Sequence, residues 1–496
     1  MAQSKQFKGK MENDSSLDFS NAILKKLIIK SADIIDEWYS TGMRNSIIYH
    51  DYSPSDIRRL FDEPIPMEGS DPEELLEIVK KDIFVTSNFN PSPNYYGYIT
   101  GGGNHISIIA ELLKSGLNQN NLKWHNAPAN SEIEKIVIKW ICQFINYPDD
   151  AGGVMVSGGS VANFLNLAVM RKVMYPGDIS NDGLYDGTRI TVYVSEQGHS
   201  SIDKAMDMLG LGKKYLRKIP VDDNLRMNTQ ILEDTILEDQ RAGLKPACII
   251  GIAGTTNNGA VDPLKELGNI ASKYNMWYMV DGAYGLPAAA TEMTRHLFEG
   301  FEMADSLLIN PHKWFYVPFE ASCVIVKNKK LLRDTFSLIP DYLRGVEEDT
   351  ERDDLMNYNL QLTKDFKALK VWMTFKAYGA EKLKMAIEND CRLAQYARLL
   401  IEESDDFELM APVPLSIVCF RYTGEKGKYA HDENELDNIN DKILDGIEKD
   451  GRIFFAGTKI RGRTSLRINL TNHRRTKADI EFLLQVLREI ADKTLK

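Results

Sequence analysis

From residue 152 onward, short apolar runs alternate with helical segments, and this alternation constrains the fold more than any other feature of the chain. Runs at 154–156, 190–194, 248–253, 277–280 and 306–309 read as strands, and 322–326 adds one more. Helical spacing near 161–172, 201–209, 229–239 and 263–273 falls between them. Strands separated by helices predict an α/β domain on a mostly parallel sheet. In such a sheet ligands sit at the carboxyl ends of the strands.

The rest of the chain is arranged around that domain. Helical spacing over 19–39, and a start signal at Asp71-Pro72-Glu73-Glu74, predict an N-terminal helical arm within residues 1–110. The large domain is expected over 111–378, opening with a helix at 130–145. A smaller α+β domain is expected over 379–496, with strands at 415–422 and 465–470 and a last helix at 477–494. Helical stretches at 366–378 and 381–401 join the two domains. The segment 341–354 is dense in charge and poor in apolar anchors, which reads as a mobile loop.

Composition narrows the function. With 496 residues the chain has room for a large core. Its net charge of -11 argues against nucleic acid or an anionic membrane as the main partner. Five cysteines form no CxxC pair, which suggests reduced, buried thiols. The first twenty residues contain no apolar signal core, and no run approaches the length of a membrane span. A cytoplasmic protein without a metal centre is the expectation.

Chemistry concentrates at the predicted strand ends. The run Leu307-Leu308-Ile309 stops at Asn310-Pro311, and His312-Lys313-Trp314 follows. A lysine there either snorkels to the surface beside an aromatic or, if desolvated, becomes a neutral amine able to form a Schiff base. Ser157-Gly158-Gly159-Ser160 joins a strand to a helix and suits an anion, though an ordinary N-cap looks the same. No GxxxxGK[ST] phosphate loop is present. Asp281 ends an apolar strand, where a carboxylate can hold a ring nitrogen protonated or merely cap a loop. His199 precedes a helix and could stack on a flat cofactor. Thr255-Thr256 supplies hydroxyls on the same edge. The loop from Pro93 to Gly103 carries Tyr95, Tyr96 and Tyr98 before a glycine run. It either faces a ligand or is a tight turn packed by its own tyrosines. A phosphate nest, a ring stacker, a hydroxyl, a ring-nitrogen partner and a lysine on five neighbouring loops point to one pyridoxal phosphate site.

With Asn310-Pro311-His312-Lys313-Trp314, Asp281-Gly282-Ala283-Tyr284 and His199-Ser200-Ser201 in place, the chain resembles the group II pyridoxal-phosphate-dependent amino-acid decarboxylases, the family containing aromatic L-amino-acid decarboxylase. The resemblance runs from about residue 19 to the final helix. It implies the fold type I architecture of PLP-dependent transferases, a homodimer with sites at the subunit interface, and decarboxylation of an L-amino acid. By resemblance Lys313 carries the cofactor, with His312 beside it. Asp281 meets the pyridine nitrogen, His199 the ring face, and Thr256 lines the cofactor. Gly159, Ser160 and Asn310 hold the phosphate. Arg467 matches the group that holds the substrate carboxylate, and Tyr342 the loop tyrosine that donates a proton. Tyr98 and Ile99, with Tyr95, Tyr96 and Trp124, resemble the region that shapes the substrate pocket and suggest an aromatic substrate. Relatives acting on acidic or aliphatic amino acids, or forming aldehydes, share the cofactor motifs. Those forming aldehydes typically alter His199 or Tyr342.

Overall fold

Seven strands make the main sheet: β1 (Gly152–Val156), β2 (Ile190–Ser195), β3 (Leu216–Ile219), β4 (Lys245–Ile252), β5 (Trp277–Asp281), β6 (Ser306–Ile309) and β7 (Ser322–Val326). Their order is β1-β7-β6-β5-β4-β2-β3. In this computed structural model, residues 17–43, 47–185, 187–337, 352–429 and 432–495 are described. Most of the charged 341–354 segment, including Tyr342, lies outside them. Two units separate, Met1–Phe89 and Asn90–Lys496.

The sheet is mostly parallel, as expected. β3, β2, β4, β5 and β6 pair in parallel, while β7 runs antiparallel to both β6 and β1. Reversing twice returns β1 to the direction of β6. The carboxyl ends of β1, β2, β4, β5 and β6 therefore share one edge of the sheet. Register keeps the central ends level, since Ile252 pairs with Asp281 and Asp281 with Leu308.

Both faces of the sheet are buried, which is why its strands read as continuous apolar runs. Tyr193, Ile249, Val280, Leu307 and Ile325 enter one core, while Val194, Ile250, Met279, Leu308 and Val324 enter the other. β3 was not expected. It places Arg217 and Lys218 between its two apolar residues, pairs with β2 alone at the sheet edge, and ties Arg217 to Asp239.

A second sheet, in the order β10-β11-β9-β8, contains β8 (Phe407–Leu409), β9 (Ile417–Tyr422), β10 (Gly457–Ile460) and β11 (Arg463–Asn469). All its pairings are antiparallel. Val418, Phe420, Leu466 and Ile468 pack with the helices Glu433–Asp450 and Lys477–Thr494. β8 and β10 are short and escaped the sequence pattern. The two expected helical stretches before this sheet lie within Ala368–Glu402 and are separated, as expected, at Gly379, whose φ of 73° is not helical.

The Met1–Phe89 unit contains helices Asn21–Gly42, Pro54–Phe61 and Pro72–Ile78. Asp71 caps the last, accepting from the N–H groups of Glu73 and Glu74. Trp38 packs edge-on against Phe84 and Phe89. Among the described residues, no helix is long and apolar enough to cross a membrane, and no cluster of His, Cys, Asp or Glu could hold a metal ion. All five cysteines are buried and free.

Candidate active site

Lys313 follows β6 on a single helical turn, Pro311–Trp314. Two aromatic neighbours fix that turn. Trp314 stacks on Tyr284 with ring centres 4.9 Å apart and planes at 15°. Its Nε1 donates to Asp390 Oδ2 at 2.9 Å, and the Tyr316 hydroxyl donates to the same oxygen at 2.7 Å. Gly101 comes so close that a Cβ there would stand 2.1 Å from the Lys313 carbonyl oxygen, so no other residue fits. At Gly101 the glycine run thus admits the lysine turn. Loss of hydration lowers the Lys313 amine to about 8; Asp281 opposes the shift and Arg467 adds to it. Roughly a tenth of the amine is then neutral near pH 7, far more than for an exposed lysine, and it is the neutral form that acts as a nucleophile.

The other strand ends meet Lys313 around a cavity of about 210 Å³, lined by Gly159, Ser160, His199, Thr256, Asp281 and Asn310 among others. Helix Gly159–Met174 follows β1, and its N-cap, Gly158, makes no side-chain capping bond. Ser160 lies in the first turn and is not the cap. The first N–H groups of this helix are thus left by the side chains for an anion. Ser322 donates to Asn310 Oδ1 at 2.6 Å, which leaves Asn310 Nδ2 to face Gly159. A Cβ on Gly159 would sit 2.9 Å from that nitrogen and fill the cradle.

Asp281 is buried at the end of β5, taking the Ala283 N–H at 3.1 Å and Asn163 Nδ2 at 3.2 Å. His199 is the N-cap of helix Ser200–Met208 and is exposed at the mouth of the cavity. Desolvation leads in holding its imidazole below the ordinary range.

Arg467 is buried and binds carbonyls. Its Nε donates to Thr256 O at 2.9 Å and Asn257 O at 3.1 Å, Nη2 to Thr256 O at 2.5 Å, and Nη1 to Tyr98 O at 3.2 Å. It lines an adjoining, more open cavity of about 410 Å³ that shares Gln197, His199 and Thr256 with the first.

Several expected residues lie elsewhere. His312 does not line the cavity: its Nδ1 accepts the Ala321 N–H at 3.1 Å, and burial pushes its imidazole down to about 3. Ile99 is part of the core, and Tyr98 is 62% exposed, connected to the site by its carbonyl. Tyr95 packs on Phe454, and the Tyr96 hydroxyl donates to Asp479 O. Trp124 donates to Glu132 and lies beneath Arg352. Asn163, Gln197, Ser201 and Tyr284 line the cavity without having been assigned a role from sequence. Asn163 carried a readable signal, being one helical turn beyond Ser160 on the same face.

The family model described as the pyridoxal-dependent decarboxylase conserved domain matches residues 54–423. The chain belongs to this family. Aromatic-L-amino-acid decarboxylase of Bacillus atrophaeus is 30% identical over 479 residues, spanning 96% of this chain and 97% of that protein. Phenylacetaldehyde synthase of Petunia hybrida is 31% identical over 82% of each chain. The structure of Oryza sativa TDC with PLP and tryptamine superimposes with a TM-score of 0.91 at 24% identity, covering 97% of this chain and all of that one, which establishes the fold.

The protein is therefore a pyridoxal-phosphate-dependent carboxy-lyase. Its residues fit the cofactor. The cavity offers a buried lysine amine, a strand-end carboxylate and an uncapped helix start facing Asn310. It also contains a buried acceptor, Asn163 Oδ1, that no donor among the described residues satisfies. Such an atom calls for a polar neighbour, since leaving it bare costs about 1–3 kcal/mol.

Proposed function

We propose that this decarboxylase acts on an aromatic L-amino acid, releasing carbon dioxide and the corresponding amine. The observation that carries the reading is the meeting of Lys313, Asp281, His199, Gly159 and Asn310 around one cavity at the carboxyl edge of the sheet. The aromatic substrate class is supported by relatives named aromatic-L-amino-acid decarboxylase, tyrosine decarboxylase and tryptophan decarboxylase. When bound, pyridoxal phosphate supplies the electron sink for the pair left behind as the carboxylate departs.

The chain's own groups divide the remaining work. Lys313, whose desolvated amine loses its proton more readily than an exposed lysine, would attach the cofactor and yield it to the substrate amine. The Asp281 carboxylate keeps a proton on the ring nitrogen. His199 presents a neutral imidazole face. The backbone at Gly159 and Ser160, with Asn310 Nδ2, holds the phosphate, and Thr256 borders the ring. Arg467 keeps one N–H on each terminal nitrogen beyond those given to carbonyls, enough to orient a carboxylate. Tyr98 and Ile99 belong to the loop on the substrate side. Tyr342, outside the described residues, returns a proton to the α-carbon.

The reading includes a homodimer, an arm within residues 1–110, a cofactor-holding region over 111–378, and a region over 379–496 that supplies Arg467. Apolar residues on the Met1–Phe89 unit, Ile65 and Met67 among them, are exposed and suit a subunit contact. The five free thiols suit a cytoplasmic setting.

Purified enzyme incubated with a panel of aromatic, acidic and aliphatic amino acids should release amine and carbon dioxide in equal amounts from the aromatic members. Turnover confined to acidic or aliphatic substrates would overturn the substrate class, and aldehyde as sole product would overturn the reaction.

A further inference from the structure

Between Asp281 and His199 runs a short chain of hydrogen bonds whose polarity can be read end to end. Its centre is Asn163, on helix Gly159–Met174 and 2% exposed. Asn163 Nδ2 lies 3.2 Å from Asp281 Oδ2 and 2.9 Å from Ser201 Oγ. A carboxylate only accepts, so the amide nitrogen, not its oxygen, must face Asp281. The second N–H of the same nitrogen goes to Ser201, whose oxygen accepts it. The Ser201 hydroxyl hydrogen is then available to His199 Nδ1, 2.8 Å away. The Ser201 backbone N–H points at that same ring nitrogen from 3.2 Å. Two donors converge on Nδ1, so the ring proton sits on Nε2.

We propose that Asn163 is a positioning residue which, through Ser201, ties the Asp281 carboxylate to the tautomer of His199, with Nδ1 accepting, Nε2 protonated and the ring neutral. This deepens the functional reading above and rests on it, since that reading makes Asp281 and His199 cofactor partners. Among the described residues Asn163 Oδ1 has no partner, and the two Nδ2 bonds are the only side-chain hydrogen bonds Asn163 makes. A proton on Nδ1 would face two donors, which makes the imidazolium costly. The charged groups around His199 are divided. Asp281 and Asp203 favour the cation, while Lys313 and Lys204 oppose it. The Ser201 backbone N–H and the hydrogen-bond chain together select the tautomer among them.

Reversing the chain tests this. Asn163→Asp is nearly isosteric, but an oxygen at that place accepts from the Ser201 hydroxyl, whether or not the new carboxyl shares a proton with Asp281. Ser201 Oγ then no longer donates to Nδ1 and is free to accept from it, which draws the ring proton towards Nδ1 against the one remaining donor, the Ser201 backbone N–H. The measurement is nitrogen NMR of holoenzyme labelled in histidine, with the His199 signals assigned by their loss in His199→Gln. Wild type should show Nδ1 as the unprotonated and Nε2 as the protonated nitrogen. In Asn163→Asp the protonated signal should move to Nδ1, or to both nitrogens. Adding Ser201→Ala, which removes the relay hydroxyl, should restore the wild-type pattern. Should Asn163→Asp not retain its cofactor, Asn163→Ala replaces it, and the midpoint of His199 protonation should rise above that of wild type. Unchanged His199 signals and midpoint in a folded Asn163 variant would overturn the proposal. The functional reading stands or falls separately, on the products of wild-type turnover.

Discussion

Replacing Asp390 by asparagine should change how stability depends on pH while altering it little below about pH 4. Asp390 is fully buried behind the lysine turn, and Trp314 and Tyr316 both donate to its Oδ2. Burial raises its carboxyl from 3.8 to about 7, with the two donors opposing. Between those values the folded protein holds a proton that the unfolded chain has lost. The stability this group contributes is thus fully present below the unfolded value and disappears as pH rises through about 7. The interval is worth on the order of 4 kcal/mol, with a slope of roughly 1.4 kcal/mol per pH unit. Asparagine keeps an acceptor for Trp314 and Tyr316 but never ionises. Denaturant midpoints of both proteins from about pH 5 to 8 should show the variant gaining roughly 1.4 kcal/mol per pH unit, then levelling off above about pH 7. Parallel curves would refute the reasoning, because a carboxyl with the same affinity for protons in both states cannot produce the slope.

Other changes probe the site more directly. Lys313→Ala should abolish turnover and the visible absorbance of lysine-bound pyridoxal phosphate, read by spectrophotometry; a variant retaining both would remove Lys313 from the chemistry. Lys364→Met should cost about 3–5 kcal/mol in a denaturant titration. Among the described residues it leaves the fully buried Glu134 carboxylate with only the Met155 N–H and Asn121 Nδ2 as partners, and Glu134→Gln in the same chain should recover most of the loss. Tyr342→Phe removes a phenol proton while keeping the ring. Carbon dioxide release should continue as the ratio of amine to aldehyde falls, and an unchanged ratio by chromatography would deny Tyr342 the donor role.

The parts legible in the sequence share one physical cause. Strands buried on both faces must be apolar throughout, so β4, β5 and β6 stood out, and the polar residues that end them, Asp281 and Asn310, stood out by contrast. β3 and β10 failed that test, because a four-residue strand at a sheet edge has too few buried positions to make a pattern. His312 stands in the most specific motif, and one of its ring nitrogens accepts from the backbone of Ala321, a contact that the motif itself does not announce. What stayed hidden is the set of groups that hold the site residues in place. Asp390 reaches Trp314 across 76 residues, and Arg467 reaches Thr256 across 211. Periodicity reports only what neighbours along the chain share, so contacts at such separations leave no local trace. Asn163 lies between the two cases, close enough to Ser160 for helical spacing to place it on the same face. Its bonds to Asp281 and Ser201, however, join helix Gly159–Met174 to two other elements. Local pattern therefore locates the groups that do chemistry at strand ends, and only the packed fold reveals which side chains set their protonation.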